Sequence, residues 1–297
     1  MVRSASSRVS RLVRRLIVLA AALSILPVAA QAMTMDGDKE VARMVSFGGS
    51  CSKCELSGRR LNGAHFDGAD FGGASLVGSD LREARFTGAN FANADLSRAD
   101  LSDAHMLGAN FSGANLSNAR FRDTQAPGVN FVRASMANID MRDTHAEGAV
   151  FSDANISSGQ FDDAVLNGAV MVRVHAANAS FRDSQMTGAT MSGGNFSGAS
   201  FRDTDLTAAI MTGGMFSGAD FRDADLTQAQ LYGTDLSRVK NLVQDQLNDA
   251  CADGSTRLPA GLVARTCRGS RWSPRPPRMP VAPVAPAPPA PPAPPRY

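Results

Sequence analysis

Large apolar residues recur at every fifth position from Leu61 to Leu236. Of the 36 positions in this register, 33 hold Phe, Leu, Met or Ile, and alanine holds the other three. A helix would scatter residues five apart around its circumference, and a strand would alternate them between its two faces. The chain is therefore expected to turn once per five residues, so that every large side chain points to one axis. The residues between, mostly Ala, Gly, Asn, Asp and Ser, favour tight turns.

A second period of 20 residues groups these pentads in fours. The tetrads FRDT, MRDT, FDDA, FRDS, FRDT and FRDA begin at positions 121, 141, 161, 181, 201 and 221. Five residues therefore make one side of a square, and 20 residues make one coil. The 36 pentads give nine coils, about 43 Å of solenoid at the spacing of adjacent strands.

The stretches ANFSGANLSNARF and GADFRDADLTQAQL resemble the A-(D/N)-L-x-x pattern of pentapeptide repeat proteins. The resemblance covers residues 56–239. It implies an all-β fold, a right-handed quadrilateral parallel β-helix, which we expect to be closed at both ends by short helical caps because bare terminal coils would expose apolar core.

Phenylalanine occupies this register at 14 of its 15 occurrences, so we expect a continuous aromatic core. The bulk changes walls along the rod, since phenylalanine fills one wall in the first coils and the opposite wall in the last. The predicted core ladder is Phe71, Phe91, Phe111, Phe131, Phe151, Phe161, Phe181, Phe201 and Phe221. Alanine replaces the large residue at 126 and 146 on one wall, where we expect methionine and isoleucine opposite to fill the space.

Charge divides the chain into an acidic body and a basic end. Residues 56–239 carry 14 arginines, no lysine and 21 acidic residues, net −7, and the chain from Lys240 onward is net +5. Neither part has the dense basic stripe that phosphate backbones require, so no nucleic-acid partner is expected.

The two termini have separate compositions. Residues 1–32 read as a signal peptide with five arginines, a short apolar run and a small-residue cleavage site, which predicts a periplasmic or extracellular protein with no integral membrane segment after cleavage. Arg14 and Arg15 leave the Sec and twin-arginine routes both open. Residues 270–297 form a proline-rich tail that favours polyproline II or disorder and serves as a spacer or a docking strand.

One corner of the square carries stacked charges on eight of the nine coils. The acids Glu83, Asp103 and Asp163 belong to a column with a parallel arginine column beside it, which is expected to neutralise their repulsion. Either this is a self-compensating ladder or it recognises a charged partner through arginine forks. The candidate interaction face comprises Arg122, Asp123, Arg142, Asp143, Arg182, Asp183, Arg202, Asp203, Arg222 and Asp223.

Two other columns have simpler interpretations. Glycines recur every 20 residues from Gly68 to Gly188, which indicates turns with positive φ, although a flat glycine edge would also admit close approach of another molecule. His65, His105 and His145 share a column but lie two coils apart, too far to share a metal ion. No cofactor and no catalytic residue is expected.

The cysteines lie at the two ends of the repeats. The N-terminal cap, 33–55, contains Cys51 and Cys54, and the C-terminal helical cap, 240–269, contains Cys251 and Cys267. In an exported protein, two local disulfides, Cys51–Cys54 and Cys251–Cys267, are expected. A labile redox pair at CSKC and a disulfide shared with another chain are the alternatives.

These features favour a non-enzymatic structural or interaction module of the cell envelope, with an unknown protein or envelope partner and an undetermined oligomeric state. The alternative is implied by the resemblance: some pentapeptide repeat proteins mimic duplex DNA, bind topoisomerase and protect gyrase. An enzyme is disfavoured because repeat side chains spread along faces and do not gather in a pocket.

Overall fold

A computed structural model of the chain describes residues 38, 41, 45, 46 and 48–267. Two compact units divide it, Met1–Asp38, of which Asp38 alone is described, and Lys39–Tyr297, which contains the solenoid. The predicted signal peptide and proline-rich tail lie outside the described residues. Among the helices that are described, none has the length and apolar character needed to span a membrane.

The repeats wind as a right-handed quadrilateral parallel β-helix, as predicted. Single-residue parallel bridges join each coil to the next at intervals of 20 residues, from the pair Ser50 and Asp70 to the pair Asp220 and Lys240. Backbone hydrogen bonds also join each coil to the next; for example, the Leu81 N–H donates to the Asp100 carbonyl at 2.7 Å.

Each pentad closes its corner with one turn. The Ala84 N–H donates to the Leu81 carbonyl at 3.2 Å, and Glu83 between them has φ of 60°. The residue at this place in the pentad has positive φ in every repeat from Lys53 to Gly233. The bend directs the large residue and the small residue three positions later into the same interior.

All 36 residues of the five-residue register are buried, with no more than 2% of their surface exposed. Phe71, Phe91 and Phe111 stack with ring centroids 4.9 and 4.7 Å apart, and Phe161, Phe181 and Phe201 stack at 5.0 and 5.2 Å on the opposite wall. An edge contact of 6.1 Å between Phe151 and Phe161 joins the two walls. The remaining predicted ladder members, Phe131 and Phe221, are also fully buried.

At the N-terminal end, Val41 and Val45 are helical, and Val45 packs into the core with 2% of its surface exposed. Such packing covers the apolar end of the first coil. The bounds of this helix lie among residues that are not described.

The C-terminal cap contains less helix than predicted. The spacing of Leu242, Leu247 and Ala250 predicts a helix ending near Gly254, but the helix is one turn, Gln244–Leu247. The chain then forms β1, Cys251–Ala252, which pairs in parallel with β2, Arg265–Thr266. Cys251 also bridges Gln230 of the preceding coil, so hydrogen bonding to the open strand edge prevails over helical propensity.

Candidate interaction surface

The charged corner consists of the two turn residues that follow one wall of the core. Its acidic column occupies the left-handed turn position throughout, with φ of 60° at Glu83 and Asp103 and 59° at Asp163. Aspartate tolerates this conformation better than most residues with a Cβ. The backbone therefore accounts for part of the preference for acids here, independently of any partner.

The arginines of this corner do not pair with the acids beside them. Arg82 bonds Asp80 through two nitrogens, each at 2.8 Å, and Arg122 and Arg142 both reach Asp140, at 2.6 and 2.9 Å. The bond to Arg82 lowers the pKa of Asp80 despite partial burial, and the same bond raises the pKa of Arg82. The arginines therefore form their ion pairs with aspartates of the adjoining flat face, and the acids of the neighbouring column, such as Glu83 beside Arg82 and Asp123 beside Arg122, act on them only through charge.

Farther along the rod the two columns keep their charges apart. Arg182, Arg202 and Arg222 form no ion pair with any residue in the described part of the chain. At Asp163, burial and then the neighbouring Asp143 and Asp183 raise the carboxyl pKa, and Asp162 contributes because it interrupts the arginine column. The C-terminal coils therefore present parallel rows of positive and negative charge that no ion pair joins among the described residues. Arg202 and Arg222 still act on Asp220 of the adjoining flat face. Partial burial opposes ionisation of this carboxyl, but hydrogen bonds from Asn241 and the Arg222 N–H, together with the charges of the two arginines, lower its pKa.

The column from Gly68 to Gly188 has the positive φ that glycine at a turn indicates, 69° at Gly68 and 66° at Gly188. At Gly188 no atom lies within 4 Å of where a Cβ would stand, so this edge is open to solvent.

The histidines remain dispersed along the rod. His65 and His105 are separated by Arg85 in one column of bridges, and His145 lies 3.5 Å from Glu147. Over the described residues, no three His, Cys, Asp or Glu side chains are grouped to hold a metal ion.

Both expected disulfides are present. Cys51 occupies the large-residue position of a pentad and Cys54 the small-residue position, so their bond staples one turn of the first coil from inside. Cys251–Cys267 closes the C-terminal cap across a sequence separation of 16 residues, beside the pairing of β1 and β2.

Two polar features of the structure were not predicted from the sequence. On one flat face, Asn90, Asn110 and Asn130 form a ladder in which each amide donates to the side chain one coil earlier, starting from Asp70 at 2.8 Å. In the cap, Gln246 donates to the carbonyls of Phe221 and Ala224 at 2.8 and 2.7 Å. The asparagine ladder has a signal, an Asn or Asp every 20 residues, whereas the glutamine contact has none.

Comparison with known proteins places these features in context. The family described as pentapeptide repeats matches in eight copies, over residues 50–88, 84–123, 130–168, 160–198 and 199–238. The crystal structure of HetL, a pentapeptide repeat protein involved in heterocyst differentiation regulation from the cyanobacterium Nostoc sp. strain PCC 7120, is similar at a TM-score of 0.60 and 23% identity, over 75% of this chain and 95% of that chain.

Trypsin-treated QnrB1, a plasmid-mediated fluoroquinolone resistance protein, matches at a TM-score of 0.42 and 20% identity, over 67% of this chain and 91% of that one. No curated protein matches the sequence. The similarity to HetL shows the fold.

Proposed function

Because this chain belongs to the pentapeptide repeat family, with repeats matched between residues 50 and 238, we propose that it is a non-enzymatic interaction module whose rigid faces bind protein. The observation that carries the proposal is the uninterrupted register. From Leu61 to Leu236 every large repeat residue is buried in the core. Specificity for a partner must therefore come from the side chains that face outward. Catalysis needs groups that converge on a concave site, whereas this fold spreads polar groups along flat faces.

We propose the charged corner of the C-terminal coils as the partner-binding surface. Arg182, Arg202 and Arg222 lie on successive coils about 4.8 Å apart. None of them forms an ion pair within the described residues, although Arg202 and Arg222 lie near enough to Asp220 to interact through charge. Arg82 would have to break its two hydrogen bonds to Asp80 before it could bind a carboxylate of a partner. A guanidinium group without an ion pair avoids that free-energy cost, so it binds such a carboxylate more favourably. A protein surface with regularly spaced carboxylates fits this row.

The location in the cell envelope is part of the same proposal and rests on the leader sequence of residues 1–32. Cell fractionation with N-terminal sequencing of the mature chain tests it. Recovery from the periplasm or medium with the leader removed is expected, and an uncleaved cytosolic chain would contradict it.

Photo-crosslinking in intact cells tests the binding surface. A photo-reactive residue in place of Arg202 should capture one reproducible protein, and the same probe in place of Ala177, on a serine-rich corner, should not. Equal capture from both positions would remove the charged corner from the proposal. Turnover of a small molecule by the purified chain, without a captured partner, would overturn the interaction module itself.

Gyrase protection by DNA mimicry is the second candidate, and a supercoiling assay with purified mature chain decides it. Mimicry needs a strong negative field. Here arginines stand beside the acidic column on most coils, and Arg82 and Arg142 are paired within the chain. We therefore expect no protection of gyrase.

A further inference from the structure

One flat face of the solenoid changes chemistry halfway along its length. Its first coils carry the hydrogen-bonded ladder that ends at Asn130. Toward the C-terminal end, β-branched residues take the place of asparagine in the same column. These and their neighbours at the adjoining corner, all half-buried, form what we name the valine strip: Val132, Val150, Val170, Val172, Thr190, Ile210 and Thr212.

The strip is corrugated with a defined period. At its corner, large and small residues alternate coil by coil, Val132, Ser152, Val172, Ser192 and then Thr212. At a coil spacing of about 4.8 Å, the large residues recur every 9.6 Å or so. Folding does not demand this alternation, because these positions face outward and the core beneath them is filled by Phe131, Phe151 and Met171.

A segment of the same chain has a matching period. Residues 280–294 repeat in triplets that begin with proline, PVA PVA PAP PAP PAP, with valine or alanine always second. We name this segment the proline triplets. Polyproline II has three residues per turn and rises about 3.1 Å per residue, so one ridge of the segment would repeat about every 9.3 Å. The mismatch with the strip accumulates to less than about 1 Å over two turns.

The last described residue, Cys267, lies at the end of the column that carries the strip, so the proline triplets that follow it can reach the strip. Cys251 bridges Gln230, and Gln230 bridges Ile210, so β1 and β2 continue the column that carries the strip. The disulfide Cys251–Cys267 fixes the last described residue to this column. The 13 residues from Cys267 to Pro280 reach up to about 40 Å in extended form. At about 4.8 Å per coil, Arg265 lies roughly 14 Å along the column from Ile210 and roughly 34 Å from the coil of Val132, so the linker can reach either end of the strip.

We propose that the proline triplets dock as a polyproline II helix along the valine strip of their own chain, with the second residues of two successive triplets seated beside Ser152 and Ser192. Proline has no backbone donor, so eight of the fifteen residues in 280–294 have no N–H to satisfy where the segment meets an apolar face, and only the seven Val and Ala residues carry one.

The small area of the strip favours the chain's own tail over a second copy of the protein as the occupant. A strip about 19 Å long and one strand pair wide offers a few hundred Å², well below the roughly 800 Å² per partner of stable complexes. The tether through Cys267 supplies an effective concentration on the order of millimolar, at which a weak contact is populated.

Photo-crosslinking of the full mature chain tests the proposal. A photo-reactive residue in place of Ala287 should link to peptides that contain Val132, Val172 or Thr212. The double variant V132S/V172S removes the corrugation and should lower the yield of these links at least about threefold, since the buried apolar contact is lost. The matched variant A137S/A177S makes similar outward changes at a different corner of the same coils and should leave the yield unchanged.

Mixing isotopically light and heavy chains separates the occupants. Links within one chain support the docking. Links between chains would mean that the strip binds the tail of a second copy, and links scattered over all faces would mean that the tail is a spacer; either result overturns the proposal. A thermal melt of V132S/V172S that matches the parent shows that the fold is intact.

Discussion

At the scale of single residues, the left-handed backbone conformation at the turn determines which residue types occur there more than the need for charge does. Gly68, Asn93, Arg98 and Asp103 occupy it in different pentads, all with φ between 56° and 69°. What these residues share is the absence of branching at Cβ, which would clash with the backbone in this conformation. The position therefore tolerates many polar side chains, and the surface pattern is free to vary without loss of the fold.

Substitution at Gly188 isolates this backbone effect, because a Cβ there would meet no atom within 4 Å. Gly188→Asn should change the free energy of unfolding by only a few tenths of a kcal/mol, whereas Gly188→Val should lower it by about 1–2 kcal/mol. Urea denaturation measures both. Equal stability of the two variants would show that the turn does not hold φ positive.

Asp163 provides a pH-dependent test. Its folded-state pKa is raised by burial and by Asp143, Asp183 and Asp162, so its contribution to stability is present at low pH and is lost as pH rises through that pKa. Asp163→Asn should therefore stabilise the protein at pH 7 by roughly half a kcal/mol, the scale of exposed charge interactions. The gain should vanish near pH 3. A gain of equal size at both pH values would exclude charge repulsion as its cause.

The sequence predicted the position of each charged column but not its ion pairs. A period of 20 residues places Arg142 and Asp143 on one corner without ambiguity. It does not determine whether Arg142 reaches Asp143 or Asp140, since the guanidinium lies several rotatable bonds from the backbone. The turn conformation directs the Asp143 side chain outward into solvent, and the acid on the flat face is the one within reach.

At the scale of elements, the ends of the solenoid depend on side chains that mimic another coil. Gln246 satisfies two carbonyls of the last complete coil and accepts from the Val243 N–H at 2.9 Å. The helix was predicted to be longer because the spacing of apolar residues does not show that an open strand edge competes for the same backbone. The two disulfides were predictable from cysteine placement, since each pair is local in sequence.

Gln246→Ala should loosen the final coil while leaving the middle of the solenoid intact. The change leaves the Ala224 carbonyl without its Gln246 partner and the Phe221 carbonyl with only the Ala224 N–H at 3.2 Å. The loss should cost about 1–3 kcal/mol if the Ala224 carbonyl stays buried. Hydrogen exchange should accelerate in the peptide 221–240 and not in the peptide 121–140. Gln160→Ala, the same change on an exposed face in mid-rod, is the control and should alter neither peptide.

At the scale of the whole molecule, two periods have separate roles. The period of five decides which residues are inside, and it was legible from the sequence because burial is nearly absolute at every register position. The period of 20 decides which residues stack, and it sets the phenylalanine walls and the asparagine ladder. In such a one-dimensional fold, stability depends on each coil and on the interface with its neighbours.

Deletions distinguish the two periods. Removing residues 141–160, one whole coil, joins Asp140 to Phe161 and keeps every column in phase, so that Phe121 meets Phe161 along its wall. Removing only 156–160 keeps large residues inside but shifts all later columns by one face. Phe151 would then meet Ala176 in place of Met171, and the gap would cost free energy in proportion to its volume.

The shorter deletion should therefore be the more damaging. Both proteins should fold as β-helices by circular dichroism, because the five-residue register is intact in each. The urea midpoint should fall further for the deletion of five residues than for the deletion of 20, although it removes a quarter as many. The reverse order would mean that stability follows the number of repeats alone, and that the stacking of like residues along each wall contributes little.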